Sequence, residues 1–323
     1  MLKFRPIFKR PVWGGERIAA YKAIDAAQAP IGESWELSGL PGDETIVAEG
    51  EDCGLTLREL VRRDGEKLVG RANYARYGEE FPLLVKFIDA RADLSVQVHP
   101  NDTLARERHD CSGKSELWYV VRAEEGARLR IGFNRPVTPE EYELAVKECR
   151  VEELMSEYTI APGDLFYLPA GRIHTIGAGS MLVEIQQPSD ITYRIYDYGR
   201  LGLDGQPREL HTELAREAID YTCLPDYQTH YTPCPDQAVQ LIRNEHFTVS
   251  LFDLTRPQIL DLAWLDSCVV VVCTEGAGTL TDDKGHAMSI RQGETILIPA
   301  SAKCLQMSPA AEQLKLLVSW IEA

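Results

Sequence analysis

The chain reads as a mainly β protein built from two related β-barrel units with a few added α-helices, and three observations carry that reading. Most apolar segments are short runs bounded by Gly, Pro, Asn or Asp, among them FPLLVKFIDA (81–90), LSVQVH (94–99), ELWYVVRA (116–123), DLFYLPA (164–170), MLVEIQQ (181–187) and CVVVVCTE (268–275). Many short strands separated by turn signals are the pattern of a sandwich or barrel. An internal repeat aligns PGDLFYLPAGRIHTI (162–176) with QGETILIPASAKCLQ (292–306) without a gap at an offset of 130, matching Gly163 to Gly293 and Pro169 to Pro299. Helix signals, by contrast, are few and local.

Along the chain, residues 1–79 form an N-terminal segment of strands and a helix, expected to pack on the first unit. It opens with MLKFRPIFKRPVWGG, basic but without the apolar stretch or small-residue cleavage site of a secretory signal, so Trp13-Gly14-Gly15 is expected in the folded body. Thr56 followed by Glu59 fits a capping box, in which hydroxyl and carboxylate satisfy each other's backbone N–H groups at a helix start. Residues 80–205 hold the first β-unit. There EEGARL (124–129) resembles TEGAGT (274–279) at an offset of 150, so the first copy carries a 20-residue insertion. Thr138 with Glu141 is a second capping box and Pro139 suits a first helical position, so a helix starting there accounts for the insertion. Residues 206–239 read as a helical connector in which PRELHTELAREAIDY (207–221) puts Leu210, Leu214, Ala218 and Tyr221 on one side. Residues 240–323 form the second unit.

Composition narrows the function. The 323 residues are 44% hydrophobic and 26% charged, ordinary for a globular protein, and no run approaches the length of a membrane span. With 34 Lys and Arg against 50 Asp and Glu, the net charge is −16; without a basic stripe to offset it, nucleic-acid and anionic-lipid partners are not expected. Any anionic substrate then needs local cations. The eight Cys include no CxxC pair, which fits free thiols in a reducing cytoplasm and argues against a Cys-based zinc site.

The stretch LSVQVHPND (94–102) raises the question of chemistry. On a strand, residues two apart point the same way, so Ser95, Gln97 and His99 share one face and Leu94, Val96 and Val98 the other. Glu116 opens the strand ELWYVV, and His174 follows the turn Pro169-Ala170-Gly171. The pattern G-D-x-x-x-x-P-x-G-x-x-H is that of a cupin's second motif, so the units are expected to be cupin-type jelly-roll barrels. Gln97, His99, Glu116 and His174 supply two imidazoles, a carboxylate and a neutral oxygen, a set suited to one zinc or a similar divalent ion. In the repeat His174 meets Cys304, and the second copy has no Q-x-H, so the metal-type residues belong to the first unit and the second is degenerate. The other five His, at 109, 211, 230, 246 and 286, read as surface or structural.

Together LLVKFIDARADLSVQVHPND, GKSELWYVV, PAGRIHTIGAG and LVEIQQPSDITYRIYDYGR resemble the type I phosphomannose isomerases, zinc-dependent mannose-6-phosphate isomerases, in their short bacterial form. The resemblance implies the same four metal ligands and the interconversion of mannose 6-phosphate and fructose 6-phosphate through a cis-enediol. It places Ser95, Lys86 and Asp190 with the substrate, and Arg194, Lys114 and Glu184 with the chemistry. Arg194 would face the enediolate or the phosphate, its planar fork suiting oxyanions. Lys114 is open to phosphate contact or proton transfer, and Lys86 to lining the pocket or snorkelling at the barrel end. Glu184, flanked by Val183 and Ile185, would have a raised pKa and act as base, or else partner Arg194 or a ligand His. Asp190 would orient Arg194 or a sugar hydroxyl. The aromatics of WYVV and YRIYDY read as core.

Two departures matter. Only 58 residues separate Glu116 from His174, where long family members carry a large helical insertion, and Gly113 stands where some of them have a His. A proton shuttle through that His cannot operate here. The rival readings are a non-catalytic sugar-phosphate sensor and another cupin enzyme. A cytoplasmic monomer or homodimer is expected.

Overall fold

The computed structural model describes residues 1–322. The N-terminal part contributes strands β1 (Leu2–Arg5), β2 (Ile7–Lys9), β3 (Glu33–Leu37) and β4 (Ile46–Val47). The first unit follows with β5 (Leu84–Asp89), β6 (Val96–Val98), β7 (Glu116–Ala123), β8 (Arg128–Phe133) and β9 (Met155–Thr159). It continues through β10 (Leu165–Leu168), β11 (His174–Ile176), β12 (Ser180–Gln186) and β13 (Tyr193–Tyr196). The second unit has β14 (Ala238–Arg243), β15 (Thr248–Leu254), β16 (Gln258–Asp261), β17 (Val269–Asp282), β18 (Ala287–Arg291), β19 (Thr295–Ile298) and β20 (Cys304–Trp320).

All strand pairs are antiparallel. Two sheets face each other in the first unit: six strands in the order β10-β7-β12-β5-β3-β2, and five in the order β13-β6-β11-β8-β9. Alternation sorts their side chains. In the six-stranded sheet Val85, Phe87, Leu117, Tyr119, Val183 and Ile185 point outward and join a core with Phe247, Val270 and Leu317 of the second unit. Trp118, Val120 and Leu182 point inward, against Leu129, Ile131 and Ile176 of the facing sheet. Lys86, Glu116 and Glu184 have that same inward parity, so charge enters the barrel interior by register alone.

The five-stranded sheet explains the two-sided strand of LSVQVH. Val96 and Val98 are fully buried on its outer face with Tyr193 and Ile195, beneath Tyr142 of the helix Pro139–Lys147 and Ala215 of the helix Thr212–Ala218. Gln97 and Arg194 then project inward.

The repeat is structural. β10 and β19 coincide at the offset of 130, β11 begins at His174 and β20 at Cys304, and His174 pairs with Gln97 where Cys304 pairs with Asp261. Between β8 and β9 the first unit inserts the helix Pro139–Lys147, whereas β17 and β18 form a direct hairpin. Both capping boxes form, at Thr56 with Glu59 and at Thr138 with Glu141.

Two expectations need correction. The connector helix covers only Thr212–Ala218, because the His211 N–H is committed to the Arg194 carbonyl (2.7 Å), which holds the preceding chain against β13. Leu210 lies outside the helix and is exposed, and Tyr221, also outside, stacks on Phe133. The N-terminal segment divides between the units rather than packing on the first alone. β1 pairs with β19 at Leu2 and Leu297, and the turn at Gly70 (φ 95°) approaches so closely that a Cβ there would lie 2.1 Å from the Asp266 carbonyl oxygen.

Candidate metal centre and cavity

The inward residues form rows. Across the five-stranded sheet, Arg194 stands opposite Gln97 and Gln97 opposite His174. Across the six-stranded sheet, Trp118, Glu184, Lys86 and Trp35 stand side by side, with Glu116 opposite Gln186 two residues along. Directly opposed side chains in an antiparallel pair share a face, with Cβ atoms roughly 5 Å apart. Register thus brings together residues separated by as much as about half the chain.

His99, Glu116 and His174 are buried, and one ligand atom from each lies within 4.8 Å of the others. Nδ1 of His99 donates to the Ile191 carbonyl and Nδ1 of His174 to that of Arg172, each at 2.8 Å, which leaves both Nε2 lone pairs facing inward. These Nε2 atoms stand 3.5 and 3.3 Å from the Glu116 carboxylate oxygens. Gln97 completes the ring, its amide 3.2 Å from His174 Nε2; a half-turn of that amide presents its oxygen to the same point and leaves an N–H toward Ser95.

Both Glu116 oxygens are buried without an aligned hydrogen bond; Lys114 Nζ approaches to 2.9 Å as an ion pair. A buried carboxylate with a single ion-pair partner and no aligned hydrogen bond is still under-satisfied, as its raised pKa reflects. A divalent cation among two imidazole lone pairs and that carboxylate would satisfy the remaining acceptors, so the residues fit a metal ion. The Lys114 ammonium, 3.2 Å from His99 Nε2, marks where positive charge is wanted.

The protonation states agree. Burial first, then the positive charge of Lys114 and the neighbouring His174, holds His99 well below its ordinary pKa; burial also pulls His174 down to about 3. Burial pushes Glu116 up to about 7, with Glu184 adding to the rise against the pull of Lys114. Glu184 departs from expectation. Burial raises it, but the Lys114 and Lys86 ammoniums and the Trp118 indole N–H (2.9 Å) more than offset this, and its pKa falls below the ordinary value.

Lys86 lines the cavity and does not snorkel. It is 3% exposed, 3.4 Å from Glu184 and 3.6 Å from both Glu33 and Asp190, with Nζ 4.6 Å from the Trp35 ring centroid. Neither Glu184 nor Asp190 ion-pairs with Arg194 among the described residues; both face Lys86 instead. Arg194 Nη1 donates to the Glu209 carbonyl (2.9 Å), while its Nε is buried without a partner.

A cavity of about 450 Å³ opens onto this constellation and is lined by Ser95, Gln97, Lys114, Glu184, Asp190 and Arg194, with Lys86 at its wall. Of the metal set Gln97 lines the cavity, while His99, Glu116 and His174 lie behind its lining. The cavity also takes in Trp13, Glu33, Arg208, His109 and His211. The two histidines read as surface or structural, and His109 is indeed exposed, but both also border the cavity: His109 pairs with the Tyr193 hydroxyl (2.8 Å), and His211 Nδ1 accepts the Arg194 backbone N–H (3.2 Å). Neither they nor Arg208 carries a local sequence signal. Among the described residues no helix is long and apolar enough to cross a membrane.

Residues 1–120 match the family model described as phosphomannose isomerase type I, catalytic domain. The chain is 33% identical to the mannose-6-phosphate isomerase ManA of Bacillus subtilis over 92% of both chains, and 37% identical to a mannose-6-phosphate isomerase of Streptococcus mutans over 92% of both. The crystal structure of a mannose 6-phosphate isomerase from Bacillus subtilis superposes with a TM-score of 0.88 at 28% identity, covering 98% of each chain. A fold shared end to end and identity sustained over nine-tenths of the sequence place this chain in the type I phosphomannose isomerase family, a family of aldose-ketose isomerases.

Proposed function

We propose that the chain interconverts mannose 6-phosphate and fructose 6-phosphate through a cis-enediol, with one zinc ion held by Gln97, His99, Glu116 and His174. The observation that carries this reading is the buried carboxylate of Glu116 facing two imidazole lone pairs behind the lining of a polar cavity, in a chain whose relatives bear that enzyme's name. When bound, the ion supplies Lewis acidity toward the carbonyl and adjacent hydroxyl oxygens of the sugar.

The remaining roles fall to the chain's own residues. Glu184 is ionised, lines the cavity and has Oε1 free of hydrogen bonds, so it takes the proton from C2, or from C1 in reverse, and returns it to the neighbouring carbon. Lys86 and Trp118 fix that carboxylate in place. Arg194, opposite Gln97 and without a carboxylate partner among the described residues, stabilises negative charge developing on the sugar oxygens, and Lys114 donates to them as well. Ser95 and Asp190 orient hydroxyls. The setting is cytoplasmic.

The test is isomerisation of mannose 6-phosphate by purified protein before chelation, after it, and with zinc restored, with glucose 6-phosphate run alongside. Loss and recovery of turnover supports the reading. No turnover despite one bound metal per chain overturns it in favour of a sugar-phosphate sensor, and preference for glucose 6-phosphate favours a different isomerase.

A further inference from the structure

Three guanidiniums gather at one part of the cavity wall. Arg194 and Arg208 line it, and Arg200 stands behind them on the loop that follows β13. Arg200 and Arg208 share one buried carboxylate, Asp197, unevenly. Arg200 Nη2 donates to Asp197 Oδ1 at 2.5 Å and its Nη1 to the Asp93 carbonyl at 2.7 Å, so Arg200 is committed to the protein. Arg208 reaches Oδ2 only at 3.4 Å, its side chain 24% exposed, and Arg194 has no ion-pair partner among the described residues. The other carboxylate nearby, Glu209, is exposed and stands 3.9 Å from His211 Nε2, so on a chain of net charge −16 Arg208 is loosely paired and Arg194 has no ion pair among the described residues. The arginines also feel one another: burial first, and then the charge of Arg208, depress Arg194.

Arg194 and Arg208 occupy different places. Arg194 is fixed by register opposite Gln97, beside the metal set. Arg208 lies beyond it, on a loop pinned by the Leu201–Pro207 bridge, next to His211. With Nδ1 of His211 accepting the Arg194 backbone N–H, Nε2 is the ring nitrogen left to donate, and it stands 3.9 Å from the Glu209 carboxylate. A dianionic phosphate is the ligand such a pair recognises, since a guanidinium offers a planar fork of donors to paired oxygens.

We infer that Arg208, assisted by His211 and oriented by Asp197, binds the phosphate group of the substrate, leaving Arg194 to the reacting end of the sugar. The inference rests on the isomerase reading only for the identity of the phosphate ester. Arg208 is then the specificity determinant for phosphorylated over free sugar, and Asp197 and Arg200 are positioning residues.

The experiment compares wild type, Arg208→Ala and Arg208→Lys in two assays: steady-state kinetics on mannose 6-phosphate, and binding of inorganic phosphate by calorimetry with competitive inhibition as a cross-check. Arg208→Ala should raise KM and weaken phosphate binding by a common factor of roughly 10- to 100-fold, the loss of one or two charge-assisted hydrogen bonds, with kcat within about threefold of wild type. Arg208→Lys should fall between. KM and phosphate binding both within twofold of wild type, or a fall in kcat alone, overturns the inference. Wild type that binds phosphate but does not turn over mannose 6-phosphate, with binding weakened in Arg208→Ala, sinks the isomerase reading and leaves the phosphate site standing. Should Arg208→Ala fail to fold by its melting curve, Arg208→Gln keeps the side chain's length and is read the same way.

Discussion

Replacing His174 by Asn in metal-free protein gives a stability change whose sign and size follow from the burial of one ring. His174 is 1% exposed, and burial pulls its pKa from 6.5 to about 3. In the unfolded chain the ring regains its ordinary pKa, so between pH 6.5 and about 3 the unfolded state binds the extra proton. Stability is therefore full above about pH 6.5 and is lost as the pH falls. At pH 5.5, one unit below the unfolded value, the loss is about 1.4 kcal/mol. Asn cannot protonate there, and its amide can keep the hydrogen bond to the Arg172 carbonyl that Nδ1 makes at 2.8 Å. The smaller side chain carries its own cavity cost, but that cost does not depend on pH. The assay is urea unfolding of chelated wild type and variant at pH 7.5 and 5.5, read as the variant-minus-wild-type difference in the first transition. That difference should move by about 1.4 kcal/mol in favour of the variant on acidification. A difference that stays constant within about 0.4 kcal/mol, or moves the other way, refutes the claim that His174 is buried neutral with its Nε2 lone pair free.

Three further perturbations separate the other groups. Glu184→Gln should lower kcat by roughly 10²- to 10⁴-fold with metal content unchanged, because the amide keeps the shape but cannot take a proton; elemental analysis beside steady-state kinetics checks this. Arg194→Lys keeps the charge but loses the fork, and kcat/KM should fall by about 10²-fold, where a drop below threefold would return Arg194 to a structural role. Thr138→Ala removes the cap of the inserted helix and should cost about 1 kcal/mol in unfolding experiments while leaving KM unchanged, since that helix covers the outer face of the sheet and not the cavity.

What was legible in the sequence was local or repeated. The two capping boxes each lie within four residues, Q-x-H is a period-two signal, and the repeat displays its own insertion. What was hidden depends on which strands become neighbours. Arg194 meets Gln97 only because β13 pairs with β6, nearly a hundred residues earlier, and nothing in either segment specifies that pairing. Glu33 and Trp35 reach Lys86 by the same means through β3 and β5. Glu184 was misjudged because burial alone suggests a raised pKa, whereas the opposing effect comes from Lys86, across the β5–β12 ladder, and Lys114, further off in the chain. The connector helix was overextended because amphipathic spacing continues through Leu210 although the adjacent backbone N–H is used by β13. His109, Arg208 and His211 needed three-dimensional closure of the cavity before they could be seen at all.

The second unit supplies the control for reading the first. It repeats the strand plan and even the pairing at the end of the motif, with Cys304 opposite Asp261 where His174 stands opposite Gln97. Its interior is packed with residues such as Leu254, Val271, Ile296, Leu305 and Leu316, all fully buried. The plan therefore folds with an apolar interior. Against that standard the first unit buries Lys86, Lys114, Glu116 and Glu184, none more than 4% exposed, together with two neutral imidazoles. Interior charges are costly unless paired, and here the pairing is incomplete: the Glu116 oxygens and Glu184 Oε1 lack hydrogen bonds. Since the architecture does not require these groups, their presence is what the proposed roles call for, a cation at Glu116 and a proton-transferring carboxylate at Glu184.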